Sequence, residues 1–344
     1  MLVLGASVVR EILDGHEIDI VDCVASAYRA HAAGDSSLPH SVFLRFPAGP
    51  GRRIIALPAY LGDGFEVAGV KWVSSFPDNI EHGLERAAAV VVLNSPESGR
   101  PIAIIEGSYI SASRTAASAA LAAGLLLGGS AAPRMGVIGC GPISFEVVRF
   151  MRATRRELAD LVVHDIRHAR AQHFAGLCRT HFPELSIEIV DSVSPALACS
   201  LVCIATSAGT PHVNDLAPCP AGAVILHISL RDITPQIILR CDNLTDDVDH
   251  VCRAETSLHL AEQLVGNRDF IRGSIGDVLR GVLPPRPDPD RVVVFSPFGL
   301  GILDLAVASM VRRHAIARGM GLSIADFLPS SWAREDRPVG VIDE

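Results

Sequence analysis

Met135-Gly-Val-Ile-Gly139-Cys-Gly141-Pro-Ile-Ser144 reads as a short apolar strand, a glycine turn and the start of a helix. In such a unit the first glycine permits the tight turn and the second lets the backbone approach a pyrophosphate, which then rests on the free amides of the helix start. Gly139 and Gly141 take those parts, Pro142 and Ile143 open the helix, and Ser144 stands where a third Gly or Ala is usual. The next strand, Leu161-Val-Val-His-Asp165, ends on a carboxylate that can accept ribose hydroxyls. The same charge would repel a 2′-phosphate, so NAD is expected over NADP, with Arg167 blurring the preference.

Downstream of this turn, apolar strands alternate with helices: Met135 to Gly139, Ala159 to Asp165, Ile187 to Val190, Leu201 to Thr206, Ala223 to Ser229 and Arg291 to Phe295. That alternation predicts an α/β fold, a Rossmann-type doubly wound parallel sheet covered on both faces. Thr206 and Ser207, after one strand, and Ser229, at the end of another, lie on the carboxyl edge where nicotinamide-side contacts arise. Upstream the pattern differs. Ser41 to Phe46, Arg53 to Pro58, Glu66 to Ser74, Ala88 to Leu93 and Pro101 to Glu106 are short β-rich runs broken by Pro and Gly, the mark of an antiparallel sheet. The expected division is an α+β unit built from both chain ends, 1–115 and 302–344, around a dinucleotide-binding unit of 116–301. A helix from Ile302 to Ala317 is expected to pack back on the first unit, and Pro329 to Glu344 has little apolar patterning.

A net charge of −8 over 344 residues argues against nucleic acid or an anionic membrane as partner, since phosphate binding needs a basic surface. Ala116 to Pro133 is apolar but short and rich in small residues, better read as a closely packed helix than as a membrane span. The eight cysteines sit mostly in apolar runs without a CxxC pair, as expected of reduced thiols, and the first residues do not resemble a secretory signal. A cytoplasmic location follows as the expectation. The thirteen histidines show no zinc spacing, so no metal is expected, and His164, His168, His173 and His181 read as surface positions.

Against the acidic background, Arg45, Arg52, Arg53, Lys71 and Arg114 all precede the glycine turn. Arginine forks bind carboxylates, and Lys71, flanked by bulky residues in Gly69-Val-Lys71-Trp72-Val73, can act as a charge at a reacting carbon or lie on the solvated face of a strand. Arg52 and Arg53 follow a Pro-Gly turn, and Arg114 is read as lying ahead of the small-residue helix. Asp232 ends His227-Ile-Ser229-Leu-Arg231-Asp232 at the carboxyl edge of the parallel sheet. A carboxylate there is a candidate proton acceptor or the cap of a helix before Pro235, and position alone leaves both open.

Gly69-Val-Lys71-Trp72, Ser113-Arg114-Thr115-Ala116-Ala117, Gly139-x-Gly141 and the glycine-then-aspartate segment Gly299 to Asp304 together resemble the ornithine cyclodeaminase and mu-crystallin family over nearly the whole chain. The resemblance implies a homodimer with a substrate and dimerisation domain around an NAD-binding domain. It implies that Arg45, Lys71 and Arg114 hold a substrate carboxylate and that Asp232 is the acid/base. Ser41-Val-Phe-Leu-Arg45, Arg53 to Gly62, Lys71 to Pro77, Ser229-Leu-Arg-Asp232 and Phe295 to Gly301 look most like the branch of dehydrogenases that make 2,3-diaminopropionate. That branch oxidises N-(1-amino-1-carboxy-2-ethyl)-L-glutamate with NAD and water to 2-oxoglutarate and L-2,3-diaminopropionate, for siderophores or peptide antibiotics. A substrate of several carboxylates calls for several cations, and Arg45, Arg53, Lys71, Arg114 and Arg231 are available. In the cyclodeaminases a carboxylate for the distal amine is expected near Ile54 to Leu57, where this chain is apolar. The alternatives are an ornithine cyclodeaminase, another amino-acid or imine dehydrogenase, and a nicotinamide-binding protein without catalysis.

Overall fold

The structure is a computed structural model and describes residues 1–47 and 51–329; Pro50 and nearly all of the Pro329 to Glu344 stretch lie outside the described residues. The leading half contributes β1 (Leu2–Leu4), β2 (Ser36–Ser37), β3 (Val42–Arg45), β4 (Arg53–Leu61), β5 (Val67–Ser75), β6 (Ala87–Asn94) and β7 (Pro101–Glu106). These pair antiparallel, as the short broken runs predict, except that β1 joins β7 in parallel. Helices α1 (Ala6–Leu13) and α2 (Glu17–Ala32) lie between β1 and β2, and α3 (Ser108–Leu126) follows β7.

Residues paired across strands share a face, and side chains alternate faces along each strand. Arg45 pairs with Arg53, and Leu57 with Lys71, so Arg45, Arg53, Leu57 and Lys71 fall on one face. The opposite face carries exposed apolar side chains, with Val42 65% exposed, Leu44 48% and Trp72 44%.

The second sheet is wholly parallel. Its strands are β8 (Arg134–Ile138), β9 (Asp160–His164), β10 (Ser186–Ile189), β11 (Leu201–Ile204), β12 (Val224–His227), β13 (Asp242–Thr245), β14 (Ile271–Ser274) and β15 (Val293–Ser296). They lie in the order β10-β9-β8-β11-β12-β15-β13-β14. Helices α4 (Pro142–Thr154), α5 (His168–His181), α6 (Val193–Leu197), α7 (Pro235–Ile238), α8 (Val248–Val251), α9 (Ser257–Val265) and α10 (Ile275–Leu279) join them. The order reverses between β8 and β11, the switch point at which ligands of open parallel sheets bind.

β13 and β14 escape the strand pattern read from the sequence. Asp242-Asn-Leu-Thr245 is polar yet fully buried, because Asn243 Nδ2 donates to the Ile238, Cys241 and Phe270 carbonyls and Thr245 Oγ1 to Ser296 O. These bonds, with Arg272 Nε donating to Asp242 Oδ1 at 2.8 Å, offset the cost of burying most of the strand's polar groups, and hydropathy does not register that.

The small-residue helix starts earlier than expected: α3 spans Ser108–Leu126, so Arg114 lies inside it and a division at 115/116 cuts it. Its alanines are almost all buried, and it packs between α2 and α4. No helix among the described residues is long and apolar enough to cross a membrane. The last helix, α11 (Gly301–Arg318), packs on β4, β5 and α2, and β16 (Leu322–Ser323) closes the first sheet beside β1. Gly69 makes this docking fit, since a Cβ there would sit 2.2 Å from Val92 O and 3.1 Å from Leu305. His164, read as a surface residue, is buried at the end of β9 with Nδ1 on Val190 O.

Candidate active site

At the glycine turn, Gly139 has φ +89° and a Cβ would lie 2.5 Å from Ala205 O, so only glycine lets β8 turn this close to β11. Gly141, the N-cap of α4, has open space where a side chain would be. Ser144 is buried and its hydroxyl donates to Gly139 O, bracing the turn from beneath. Pro142 occupies the first position of α4, where its missing N–H costs nothing, and the amides of Ile143 and Ser144 are left without helical acceptors. Asp165 takes the Cys140 and Arg167 amides at 2.9 Å each, which fixes its carboxylate beside the turn. This cradle, open over Gly141 and bounded by an oriented carboxylate, fits a dinucleotide.

Two of the polar residues expected beside the cofactor are engaged elsewhere. Thr206 Oγ1 donates to Asp232 Oδ1, and Ser229 Oγ donates to Asp232 Oδ2 and to Ile204 O. Ser207 is exposed. Asp232 is fully buried, and it does not cap α7, whose N-cap is Thr234. Burial alone would raise its carboxyl, but His227, Ser229 and Thr206 outweigh that and hold it below the usual carboxylate range. His227, also fully buried, has Nε2 3.2 Å from Asp232 Oδ2 and Nδ1 3.1 Å from Ser296 Oγ. The half-exposed His212 stands 3.7 Å from Asp232 Oδ1 on the open side. The turn into Asp232 is held in an unusual conformation, with Leu230 at φ +69°.

In a second cluster, Lys71 and Arg114 are both buried against Asp304, in the first turn of α11. Lys71 Nζ is 2.8 Å from Asp304 Oδ2 in an ion contact off the ideal hydrogen-bond direction, and 3.2 Å from Ser111 Oγ. Arg114 Nε donates to Asp304 Oδ1 at 3.2 Å. Gly299, φ +91°, lets the chain pass over Arg114, since a Cβ would come within 2.7 Å of Nη1. Two cations share one carboxylate, so the cluster keeps a net charge of +1 for an anion. Burial first, then the Arg114 charge, lowers Lys71 to about 8 against the pull of Asp304. The solvated-strand reading of Lys71 is thereby set aside.

Arg52 and Arg53 part ways. Arg52 binds Asp78 through Nε and Nη2 at 3.0 and 2.7 Å, whereas Arg53 has no carboxylate within 4 Å among the described residues. Arg53 is pushed down by burial and by the charges of Arg231, Arg86 and Arg45. Among the described residues, Arg231 donates to Ala254 O alone, at 2.6 and 3.2 Å. Arg45 is exposed above Phe43, 5.6 Å from its ring centre.

His227 and Arg86 carry no motif that marks them. Asp304 belongs to a recognisable segment, but its part as counterion comes from the packing of α11. An open parallel sheet with a dinucleotide cradle, a buried hydrogen-bonded aspartate and a net-cationic anion site define a nicotinamide-dependent oxidoreductase. The profile of the ornithine cyclodeaminase/mu-crystallin family matches residues 3–319, and the chain belongs to that family. It is 27% identical to the N-((2S)-2-amino-2-carboxyethyl)-L-glutamate dehydrogenase of Staphylococcus aureus, over 94% of this chain and 98% of that one. It is 26% identical to the alanine dehydrogenase of Archaeoglobus fulgidus, over 90% and 94%. Among solved structures, an archaeal alanine dehydrogenase dimer with bound NAD superposes with TM-score 0.85 at 25% identity, covering 95% of this chain and 99% of that one. The Thermococcus litoralis Δ1-pyrroline-2-carboxylate reductase shares the fold, with TM-score 0.87 at 23% identity over 94% and 100%.

Proposed function

We propose that this enzyme cleaves N-(1-amino-1-carboxy-2-ethyl)-L-glutamate oxidatively. The conjugate, NAD and water give 2-oxoglutarate, L-2,3-diaminopropionate, NADH and a proton. The observation that carries this reading is the arginine group Arg45, Arg53, Arg86 and Arg231, which holds like charges together without a carboxylate within 4 Å among the described residues. Such a group in a protein of net charge −8 calls for an anionic ligand, and it would repel the distal ammonium of ornithine. The relative from Staphylococcus aureus acts on a substrate of this kind by its name.

NAD is the cofactor, and when bound it takes hydride from the carbon bearing the amine. Gly139, Gly141, Pro142, Ile143 and Asp165 are assigned to it, with Ser207 at its nicotinamide end; Thr206 and Ser229 act there through Asp232. Lys71 and Arg114, helped by Arg45 and Arg53, hold the substrate carboxylates. Asp232 relieves the secondary amine of a proton as the C–H bond breaks, leaving an imine in the substrate. Asp232 releases that proton to solvent, as the proton of the overall reaction, and then passes both protons of the adding water to the nitrogen, one as the water oxygen joins the imine carbon and one as the resulting hydroxyl becomes the carbonyl of 2-oxoglutarate and the C–N bond breaks, while Lys71 faces the carboxylate beside that carbon. The buried, oriented state of Asp232 suits this sequence because each transfer needs the same oxygen in place.

The enzyme is assigned to the cytoplasm as a homodimer, with its product feeding siderophore or peptide-antibiotic synthesis. The dimer is supported by the exposed apolar face of the first sheet around Val42, Leu44 and Trp72. Mixing the protein with NAD and the glutamate conjugate tests the reaction: one NADH per diaminopropionate is expected, and none with ornithine. Turnover of ornithine to proline without net NADH would sink the reading.

A further inference from the structure

Beside the arginine group lies a cavity of about 340 Å³ that the catalytic residues do not use. His250, Arg45, Arg253, His40, His259 and Phe298 are among its walls, and no lining residue is acidic. Its wall is linked to the candidate site residues at two points. Arg231 is bonded to Ala254 O, part of the wall, and Phe298 leads directly into Gly299 over Arg114.

His250 is its informative member. The side chain is only 9% exposed, yet among the described residues Nε2 has no partner. The other ring nitrogen, Nδ1, is 3.0 Å from Asp247 Oδ1, and Asp247 also accepts the His250 amide at 2.8 Å and meets His31 Nε2 at 3.1 Å. The Asp247 hydrogen bond raises the His250 pKa against the effect of burial, so the ring gains a proton readily. An Nδ1–H committed to Asp247 makes the protonated ring a donor through Nε2, and a buried donor without an acceptor costs about 1–3 kcal/mol unless a ligand supplies one. The exposed His40 ring lies 5.2 Å away centre to centre.

We propose that this cavity is a subsite for a second carboxylate of the substrate, remote from the reacting carbon, with His250 Nε2 as its buried donor and Arg45 and Arg253 as its cations. The subsite rests on the reading of the substrate as an acidic conjugate. It selects substrates by the length of the acidic arm, whereas Lys71 and Arg114 answer to the carboxylate at the reacting carbon.

Binding separates the two readings. The protein saturated with NADH is titrated with 2-oxoglutarate and with pyruvate, which lacks the second carboxylate, following nicotinamide fluorescence. Wild type is expected to bind 2-oxoglutarate on the order of tenfold more tightly, one charge-assisted hydrogen bond's worth, and His250→Leu to bring the two affinities together with NADH affinity unchanged. Arg253→Ala, at an exposed position, should narrow the same ratio severalfold and serves if His250→Leu does not fold. His250→Gln, which keeps a donor, should restore part of the preference. No preference in wild type, or an unaltered ratio in both His250→Leu and Arg253→Ala, would overturn the subsite. If the preference behaves as expected but the glutamate conjugate is not turned over, the proposed reaction fails and the subsite stands.

Discussion

Asp304 Oδ2 lies 2.8 Å from Lys71 Nζ, with the carboxylate fully buried and the ammonium side chain 3% exposed, and the same carboxylate holds Arg114. The last helix thus sets the charge of a site whose cations come from the leading half of the chain. Removing water from these groups is costly, and each is tolerable only beside the others.

Asp304→Asn leaves two buried cations facing each other. The variant should lose about 3–5 kcal/mol of stability, the usual cost of removing one partner from a buried ion pair. Urea denaturation measures it, and a loss below about 1 kcal/mol would mean that water reaches the cluster.

The charge of Lys71 sets a pH limit. It is lowered to about 8, so the ammonium is present below that pH and lost above it. The KM for the acidic substrate should therefore rise above pH 8 while the KM for NAD stays level. Lys71→Arg should flatten the rise, because a guanidinium keeps its charge. Stability moves the other way. With the folded value depressed, the unfolded chain binds the extra proton between about 8 and 10.5, and that destabilising contribution fades as pH rises through this window.

Asp232→Asn should lower kcat by about 100-fold to 10,000-fold, the range for loss of a positioned acid/base, with NAD affinity nearly unchanged. His227→Leu removes one of the groups that hold Asp232 below the usual carboxylate range, so the Asp232 pKa rises. The acid limb of the kcat profile should move up by about one pH unit, the worth of one charge-assisted hydrogen bond. An unmoved limb in His227→Leu, with turnover intact, would separate His227 from the chemistry.

Gly139→Ala places a Cβ 2.5 Å from Ala205 O at a φ of +89°. The strain should cost about 1–3 kcal/mol and weaken NAD binding on the order of tenfold, since the turn and the β11 edge must separate. Titration with NAD and thermal unfolding report the two effects.

The local record in the chain was enough for the parallel sheet around Gly139 and the mainly antiparallel sheet before it, whereas Lys71, Arg114 and Asp232 were singled out together by the resemblance to a family. Periodicity and turn chemistry act between near neighbours, so they are written in consecutive residues. What folding alone decided is of longer range. It sets Asp304 between two cations from a distant segment, seats His227 behind Asp232, buries the polar strand Asp242–Thr245, ties Arg52 to Asp78 while Arg53 has no carboxylate within 4 Å among the described residues, and sets His250 in the wall of a cavity. A single side chain has no period, and its charge state depends on burial and on partners brought close in space, which only the packed chain supplies.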